Sequence, residues 1–200
     1  MRRYKVPAYD EATGKGLVRH VYVRVNRKGE SLCCVVINGR QAPREPELAA
    51  YVCAAVPHTA GVLVNSNTKR GNVILGEKYR TLWGRDYLMD TLCGLEFKLS
   101  VPSFYQVNRD QAEALYGKAL DYAGLTGRET VLDLYCGIGT ITLCLAKRAG
   151  RVIGAEIVPA AIRDAKENAA RNHIENAEFF CGDAAEAAAR LEAEGLRPDV

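Results

Sequence analysis

The strongest constraint on this 200-residue chain is the regular alternation of strand-like and helix-like segments that begins near residue 130. Three short apolar runs are the predicted strands, at Val131–Tyr135, Val152–Ala155 and Ala177–Cys181. The predicted helices follow them at Thr140–Ala149, Pro159–Asn172 and Ala184–Glu194. Strands and helices joined by such short links predict a parallel, doubly wound α/β sheet.

The alternating pattern stops as a fourth strand begins at Pro198–Val200. A parallel sheet is normally covered by helices on both faces. We therefore expect the 200 residues to be the front part of a longer protein, in which the sheet is completed.

The first half of the chain has a different character. The alternating segment His20–Val25 and the apolar run Leu32–Ile37 predict a β-hairpin. A helix is predicted over Glu47–Val56, short strands over 61–66 and 72–76, and further strands within 79–99. We expect an α+β domain over residues 1–100 and the truncated α/β domain over 101–200, whose first helix follows a capping box at Asn108 and ends at Gly124.

Charge is distributed unevenly between the halves. Residues 1–100 hold 16 Lys or Arg and 9 Asp or Glu, a net of +7, whereas residues 101–200 hold 11 and 15, a net of −4. A basic half suits a polyanion such as RNA, and a solvated basic surface is the alternative. Nine of the basic residues lie in the first 40 positions: Arg2, Arg3, Lys5, Lys15, Arg19, Arg24, Arg27, Lys28 and Arg40. Tyr4, Tyr9 and Tyr22 lie among them, placed either to stack on unpaired bases or to form a strand face.

Composition narrows the class of protein further. The chain has no apolar run of about 18 residues and no apolar stretch behind its basic N-terminus, so we predict a cytoplasmic protein without a membrane span. Its seven cysteines form no Cys-x-x-Cys pair and lie far from the three histidines. We therefore expect reduced thiols and no metal site.

The first predicted strand of the α/β domain leads into a glycine turn. Asp133 stands at the end of this strand, and Gly137 and Gly139 form a Gly-x-Gly turn before the helix. Ligands of doubly wound sheets bind at such turns, although a purely structural turn is the alternative. The third glycine of a dinucleotide fingerprint would fall at Thr142, and Asp133 would repel a phosphate. A ligand with positive charge fits better.

Two further carboxylates end the next two strands. Glu156 could accept hydrogen bonds from both hydroxyls of a ribose, or could lie on the surface near a helix N-terminus. Asp183 could bind the amino group of adenine, or could cap the helix that follows. Three acidic residues at successive strand ends around one glycine turn predict an adenosine site.

Two segments of this chain resemble a known enzyme family. Leu134–Ile141, which reads LYCGIGTI, and the preceding Pro102–Asn108, which reads PSFYQVN, are similar to the RNA (uracil-5-)-methyltransferases. Asn65–Gly76 also resembles the central domain of that family. The resemblance implies a partial Rossmann-like sheet of the class I methyltransferase type and the cofactor S-adenosyl-L-methionine. The implied activity is methylation of C5 of a uridine in RNA, with 23S ribosomal RNA favoured over transfer RNA.

The resemblance also implies roles for individual residues. In addition to Asp133, Gly137 and Gly139 of the glycine turn, cofactor contacts are expected from Gln106, Tyr135, Thr140, Glu156 and Asp183, with Glu156 on the ribose and Asp183 at the adenine end. Phe104 and Tyr105 are expected near the target base, and core packing is the alternative for both.

The family's chemistry needs residues that this segment is not expected to contain. Its cysteine thiolate attacks C6 of uracil, and a carboxylate base later removes the C5 proton. By resemblance both residues would follow Val200, so we nominate no catalytic residue, exclude Cys136 as the nucleophile and expect these 200 residues alone to be inactive. Three alternatives stay open: an RNA-binding module with a degenerate sheet, a methyltransferase for another substrate, and a nucleotide-dependent oxidoreductase.

Overall fold

The computed structural model describes residues 4–200, which divide into two compact units. The first unit is the chain up to Leu88 together with Ser100–Pro102, and the second is Met89–Leu99 together with Ser103–Val200. The observed division differs from the boundary expected at residue 100, because residues 89–99 group with the second unit. None of the helices within residues 4–200 has the length and apolar character needed to cross a membrane.

The first unit is a four-stranded mixed sheet with one helix. Its elements are β1 (Val18–Val25), β2 (Ser31–Ile37), α1 (Glu45–Ala55), β3 (Thr59–Ser66) and β4 (Lys78–Gly84). The strand order is β1-β2-β3-β4. β2 and β3 are parallel and are connected through α1, while the outer pairs are antiparallel. The predicted hairpin is confirmed as β1 and β2, and the helix after it as α1.

The core of the first unit lies on both faces of β2. Every residue of β2 is buried. Leu32 and Cys34 pack on one face with Leu63, whereas Val35 and Ile37 pack in a separate cluster. A strand buried on both faces reads as a continuous apolar run, which is why the sequence identified it.

The strand predicted over residues 72–76 is wrong. This segment is irregular, and β4 begins only at Lys78. Two buried asparagines hold its backbone instead. Asn65 Nδ2 donates to Gly76 O at 2.9 Å, and Asn67 Nδ2 donates to Val73 O at 2.6 Å and to Ile74 O at 3.0 Å. Side-chain amides therefore satisfy the backbone groups that a neighbouring strand would have paired.

The second unit contains a hairpin followed by alternating strands and helices. Its elements are β5 (Tyr87–Leu92), which begins in the first unit, β6 (Leu95–Ser100), α2 (Arg109–Ala123), β7 (Thr130–Asp133), α3 (Thr140–Ala146), β8 (Arg151–Glu156), α4 (Pro159–Arg171), β9 (Ala177–Cys181) and α5 (Ala184–Ala193). β7, β8 and β9 form a parallel sheet in that order. The expected α/β alternation is confirmed.

The last residues of the chain pair with the other edge of β7. Leu132 N donates to Val200 O at 2.8 Å, and Asp199 N donates to Thr130 O at 2.8 Å. The strand order therefore reverses at β7, with later chain on one side and β8 on the other. Such a reversal point opens a crevice at the carboxyl end of the strands, where doubly wound sheets bind their ligands.

Helix α2 begins and ends where the sequence predicted. The side chain of Asn108 accepts from Gln111 N at 3.2 Å, and Gly124 ends the helix in the left-handed conformation. Ala112 and Tyr116 are buried. Leu115, three positions after Ala112, is 59% exposed.

The buried amide of Asn67 generates a stability prediction. We expect Asn67→Ala to lower the free energy of unfolding by about 2 kcal/mol, because two backbone carbonyls lose their donor. Asn72→Ala makes the same change at an exposed position of the same loop and is expected to alter stability by less than about 0.5 kcal/mol. Urea unfolding of both variants checks this, and equal losses would contradict it.

Candidate functional site

The glycine turn between β7 and α3 lies at the reversal point of the sheet. Gly137 has φ of 55° and Gly139 has φ of 84°, a region that favours glycine. A Cβ at Gly139 would lie 3.3 Å from the ring of Phe179 and 3.4 Å from Cβ of Ala165, whereas a Cβ at Gly137 would meet open space. The turn is therefore packed against the protein at Gly139 and open at Gly137.

The Asp133 carboxylate accepts hydrogen bonds from residues on both sides of this turn. Its Oδ2 accepts from the Thr142 hydroxyl at 2.6 Å, and its Oδ1 accepts from Tyr135 N at 3.3 Å. Burial raises the pKa of the Asp133 carboxyl above its usual range, and the negative charge of Glu156 adds to this rise. The hydrogen bonds from Thr142 and Tyr135 oppose the rise only in part. An ionised Asp133 is thus a desolvated negative charge that a cationic ligand would stabilise.

Glu156 links the end of β8 to the same turn. Its Oε2 accepts from Gly137 N at 3.2 Å, and its Oε1 accepts from Val158 N at 3.0 Å. An ionised carboxylate has about four lone-pair positions, so both oxygens keep the capacity to accept from hydroxyl groups. The structure brings Asp133, Glu156 and Gly137 together, as the sequence predicted.

Asp183 caps helix α5. Its Oδ1 accepts from Glu186 N at 2.8 Å, and Glu186 Oε2 accepts from Asp183 N at 3.0 Å, which is a complete capping box. The capping alternative considered from the sequence is therefore observed. Because the cap uses one carboxylate oxygen, the adenine contact of Asp183 stays a prediction compatible with it.

The other expected contact residues differ in their exposure. Tyr135 is 80% exposed beside the turn, and Gln106 is half-buried in the segment before α2. The hydroxyl of Thr140 lies 2.9 Å from the hydroxyl of Tyr116, so it contributes to the packing of α2 on α3. The cofactor contacts expected of all three remain predictions.

Phe104 and Tyr105 differ in their exposure to solvent. Phe104 is 75% exposed, so its ring is accessible to a base. Tyr105 is buried in the core, with its ring centroid 6.4 Å from that of Phe97. Its burial favours the core-packing alternative for Tyr105, and the expected place of this ring near the target base stays a prediction. Tyr105 packs in a cluster that also contains Ile138 and Leu143, which are remote in sequence, so the two rings could not be distinguished beforehand.

Cys136 lies inside the turn but is unsuited to act as a nucleophile. Burial, together with the charges of Asp133 and Glu156, raises the pKa of its thiol to about 12. The thiolate is the reactive form of cysteine, so this environment suppresses its reactivity. Within residues 4–200, no group of histidine, cysteine or acidic side chains is arranged to hold a metal ion.

One residue of the site was missed by the sequence analysis. Asn168 of α4 is fully buried and donates from Nδ2 to Ile138 O, inside the glycine turn, at 3.2 Å. A signal was present, since Asn168 shares the buried face of α4 with Ile162, Ala165 and Ala169. A polar residue on an apolar helix face requires hydrogen-bond partners, and these can be remote in sequence.

The sequence is similar to methyltransferases. Residues 125–195 match the sequence model of a family described as a methyltransferase domain. The whole chain is 44% identical to an uncharacterized RNA methyltransferase of Halalkalibacterium halodurans and 42% identical to one of Staphylococcus aureus. In both cases it spans 44% of the relative, so the chain covers less than half the length of these proteins.

Solved structures show the same fold. The Pyrococcus abyssi tRNA (uracil-54, C5)-methyltransferase, solved with S-adenosyl-L-homocysteine, superposes with a TM-score of 0.72 and is 24% identical. The match covers 91% of this chain and 43% of that protein. A tRNA m1G37 methyltransferase of M. jannaschii gives a TM-score of 0.50 at 16% identity, covering 86% of this chain and 49% of that protein. The expected fold class is confirmed: the second unit has the α/β fold of the class I methyltransferases.

The cap at Asp183 allows its structural role to be measured. We expect Asp183→Ala to lower the free energy of unfolding by about 1 kcal/mol, because α5 loses its N-cap. Asp183→Asn is expected to stay within a few tenths of a kcal/mol of the parent chain, since asparagine caps about as well as aspartate. Urea unfolding tests the pair, and a full loss in the asparagine variant would show that the cap is not what Asp183 contributes.

Proposed function

We propose that this chain binds S-adenosyl-L-methionine at the glycine turn of its second unit and forms part of an RNA methyltransferase. The observation that carries the proposal is the convergence of Asp133 and Glu156 on that turn, at the point where the strand order reverses. Two carboxylates disfavour a pyrophosphate and suit a cationic ligand. When bound, the cofactor supplies an electrophilic methyl group on its sulfonium.

Each residue then has a defined task. Asp133 attracts the positive charge of the ligand, and the carboxylate of Glu156 accepts from the ribose hydroxyls while it supports the turn through Gly137. Asp183 receives the adenine amino group, and Gln106, Tyr135 and Thr140 complete the contacts. The open space beside Gly137 supports close approach of a ligand to the backbone.

Calorimetric titration of residues 1–200 with S-adenosyl-L-homocysteine and with NAD tests the ligand. We expect the adenosyl compound to bind and NAD not to compete with it. Competition by NAD would support the oxidoreductase alternative, and binding of neither compound would support the alternative of a degenerate sheet.

Asp133 is expected to lower the stability of the ligand-free protein at neutral pH. Because its pKa is raised above the ordinary value of 3.8 in the folded state, ionised Asp133 opposes folding at neutral pH. This cost disappears as the pH falls through the raised pKa towards 3.8. Ligand-free Asp133→Asn should therefore match or exceed the thermal stability of the parent at pH 7, and its advantage should shrink on acidification.

The same substitution should weaken ligand binding. We expect Asp133→Asn to weaken S-adenosyl-L-methionine binding roughly tenfold or more, because a charge-assisted contact is lost. Asp121→Asn, at an exposed carboxylate on α2, serves as the control and should change neither property. Unaltered affinity in Asp133→Asn would remove Asp133 from the proposed site.

For the substrate, we propose C5 of a uridine in RNA, with ribosomal RNA favoured over transfer RNA. The similarity of Pro102–Asn108 to the uracil-5 enzymes supports this proposal, and so does the exposed ring of Phe104. Methylation at C5 replaces the hydrogen on that carbon. Release of tritium from RNA labelled at C5 of uridine, measured with the gene product that carries this sequence, distinguishes this target from other bases. Parallel assays with 23S ribosomal RNA and transfer RNA test the preferred substrate.

We also propose that the first unit contacts the RNA. Part of its basic surface serves the fold: Arg19 donates to Asn67 O at 2.9 Å and to Lys69 O at 2.6 Å, and Arg24 donates to the hydroxyl of Tyr22 at 2.8 Å. Arginine side chains also lie over the three rings considered for base stacking, which are Tyr4, Tyr9 and Tyr22. Exposed cations such as Lys28 and Arg70 are the better candidates for phosphate contacts, while Arg2 and Arg3 lie outside the described residues.

Salt dependence measures these phosphate contacts. We expect the variant that combines Lys28→Ala and Arg70→Ala to bind a single-stranded RNA more weakly and with a salt slope reduced by about 1.4, since each lost phosphate contact lowers the slope by about 0.7. Lys118→Ala, at an exposed lysine of the acidic second unit, should leave the slope unaltered. Fluorescence anisotropy at several salt concentrations provides the measurement, and identical slopes would argue against this surface.

A further inference from the structure

Helix α4 acts as a pairing partner for the backbone of β6. Asn168 Oδ1 accepts from Lys98 N at 2.8 Å. One turn later, Asn172 Oδ1 accepts from Glu96 N at 2.8 Å, and its Nδ2 donates to Glu96 O at 2.7 Å. Residues four apart lie on the same helix face, and alternate strand residues direct their backbone groups to the same side. The two asparagines therefore replace a neighbouring strand.

Asn168 makes a second contact that Asn172 does not make among the described residues. Its Nδ2 donates to Ile138 O at 3.2 Å, and the side chain is fully buried. Ile138 lies between the two glycines of the turn. Asn168 thus connects β6 to the turn through one amide group, and all the residues involved belong to the second unit.

The bond to Ile138 acts on one particular peptide group. The carbonyl of Ile138 and the N–H of Gly139 belong to the same peptide plane, and Gly139 N donates to Cys136 O at 2.8 Å. Asn168 therefore holds one end of the plane, and Cys136 O holds the other. The plane is flanked by Gly137 and Gly139, and glycine has the freest backbone of all residues. Without Asn168, a carbonyl held on a flexible turn would lose its donor.

We propose that Asn168 is a positioning residue that fixes the Ile138–Gly139 peptide plane and so prearranges the glycine turn for its ligand. The inference rests on the proposed function for the identity of that ligand, an adenosyl compound. A turn that is ordered before binding loses less conformational freedom when the ligand binds. Ala165, whose Cβ would lie 3.4 Å from a Cβ at Gly139, braces the turn from the same helix.

Asn172 provides a matched control. It is the same residue type at the C-cap of the same helix, and it bonds the same strand, but it does not bond the turn in the described part of the chain. Asn168→Ala and Asn172→Ala should both loosen the attachment of β6. Only Asn168→Ala should also release the turn.

The test combines two measurements on residues 1–200. Amide hydrogen exchange should show faster exchange at Gly139 in Asn168→Ala than in Asn172→Ala, when both are compared with the exchange of β8. Calorimetry should show roughly tenfold weaker binding of S-adenosyl-L-homocysteine in Asn168→Ala and unaltered binding in Asn172→Ala. Equal exchange at Gly139 and equal affinities in the two variants would overturn the proposal.

A second pair of variants and the exchange measurement alone cover the cases in which an alanine variant does not fold or the parent chain does not bind. Asn168→Thr and Asn172→Thr keep nearly the side-chain volume of asparagine while removing the amide, so the same comparison can be made if an alanine variant does not fold. If the parent chain binds no adenosyl compound, the proposed function fails, and hydrogen exchange at Gly139 still decides whether Asn168 positions the turn.

Discussion

The site depends on the two pairings of β7. This strand pairs in parallel with β8 on one side and with the residues that end at Val200 on the other. Parallel strands bring their carboxyl ends to one edge, so Asp133 and Glu156, 23 positions apart in the numbering, meet around Gly137. The reversal of strand order at β7 separates the following connections and leaves space above the turn. The same pairing explains why the turn must bend sharply into α3 and why glycine occupies both bends.

Asparagine side chains that bond to backbone groups are the second recurring device in this protein. Asn65 and Asn67 hold an irregular loop in the first unit, and Asn168 and Asn172 hold β6 in the second. Asn176 likewise donates to Ala146 O at 2.8 Å and to Ala149 O at 3.0 Å. An asparagine amide carries both a donor and an acceptor, so it can satisfy backbone groups in places that no strand or helix reaches. Buried backbone that would otherwise be costly is thereby stabilised without charge.

The glycine turn places a buried carboxylate where the core of a stable protein would normally have an apolar or a paired group. Asp133 is desolvated and lies near a second carboxylate, which is unfavourable in the absence of a partner. Around it the protein places neutral donors, the Thr142 hydroxyl and the backbone of Tyr135, instead of a cationic side chain. Such an arrangement leaves negative charge for a ligand to neutralise. It also raises the pKa of the Cys136 thiol, so cysteine chemistry is suppressed at the position where the cofactor is proposed to bind.

The sequence by itself determined the elements of the α/β unit and the order of its functional residues. Local periodicity defined each strand and helix, the cap residues Asn108 and Gly124 bounded α2, and strand ends placed Asp133 and Glu156 at one edge. Only the tertiary structure decided that Tyr105 is buried while Phe104 is exposed, that residues 72–76 form no strand, and that Asn168 reaches the turn. Each of these outcomes depends on contacts with residues outside the local element, and neither periodicity nor spacing carries information about such contacts.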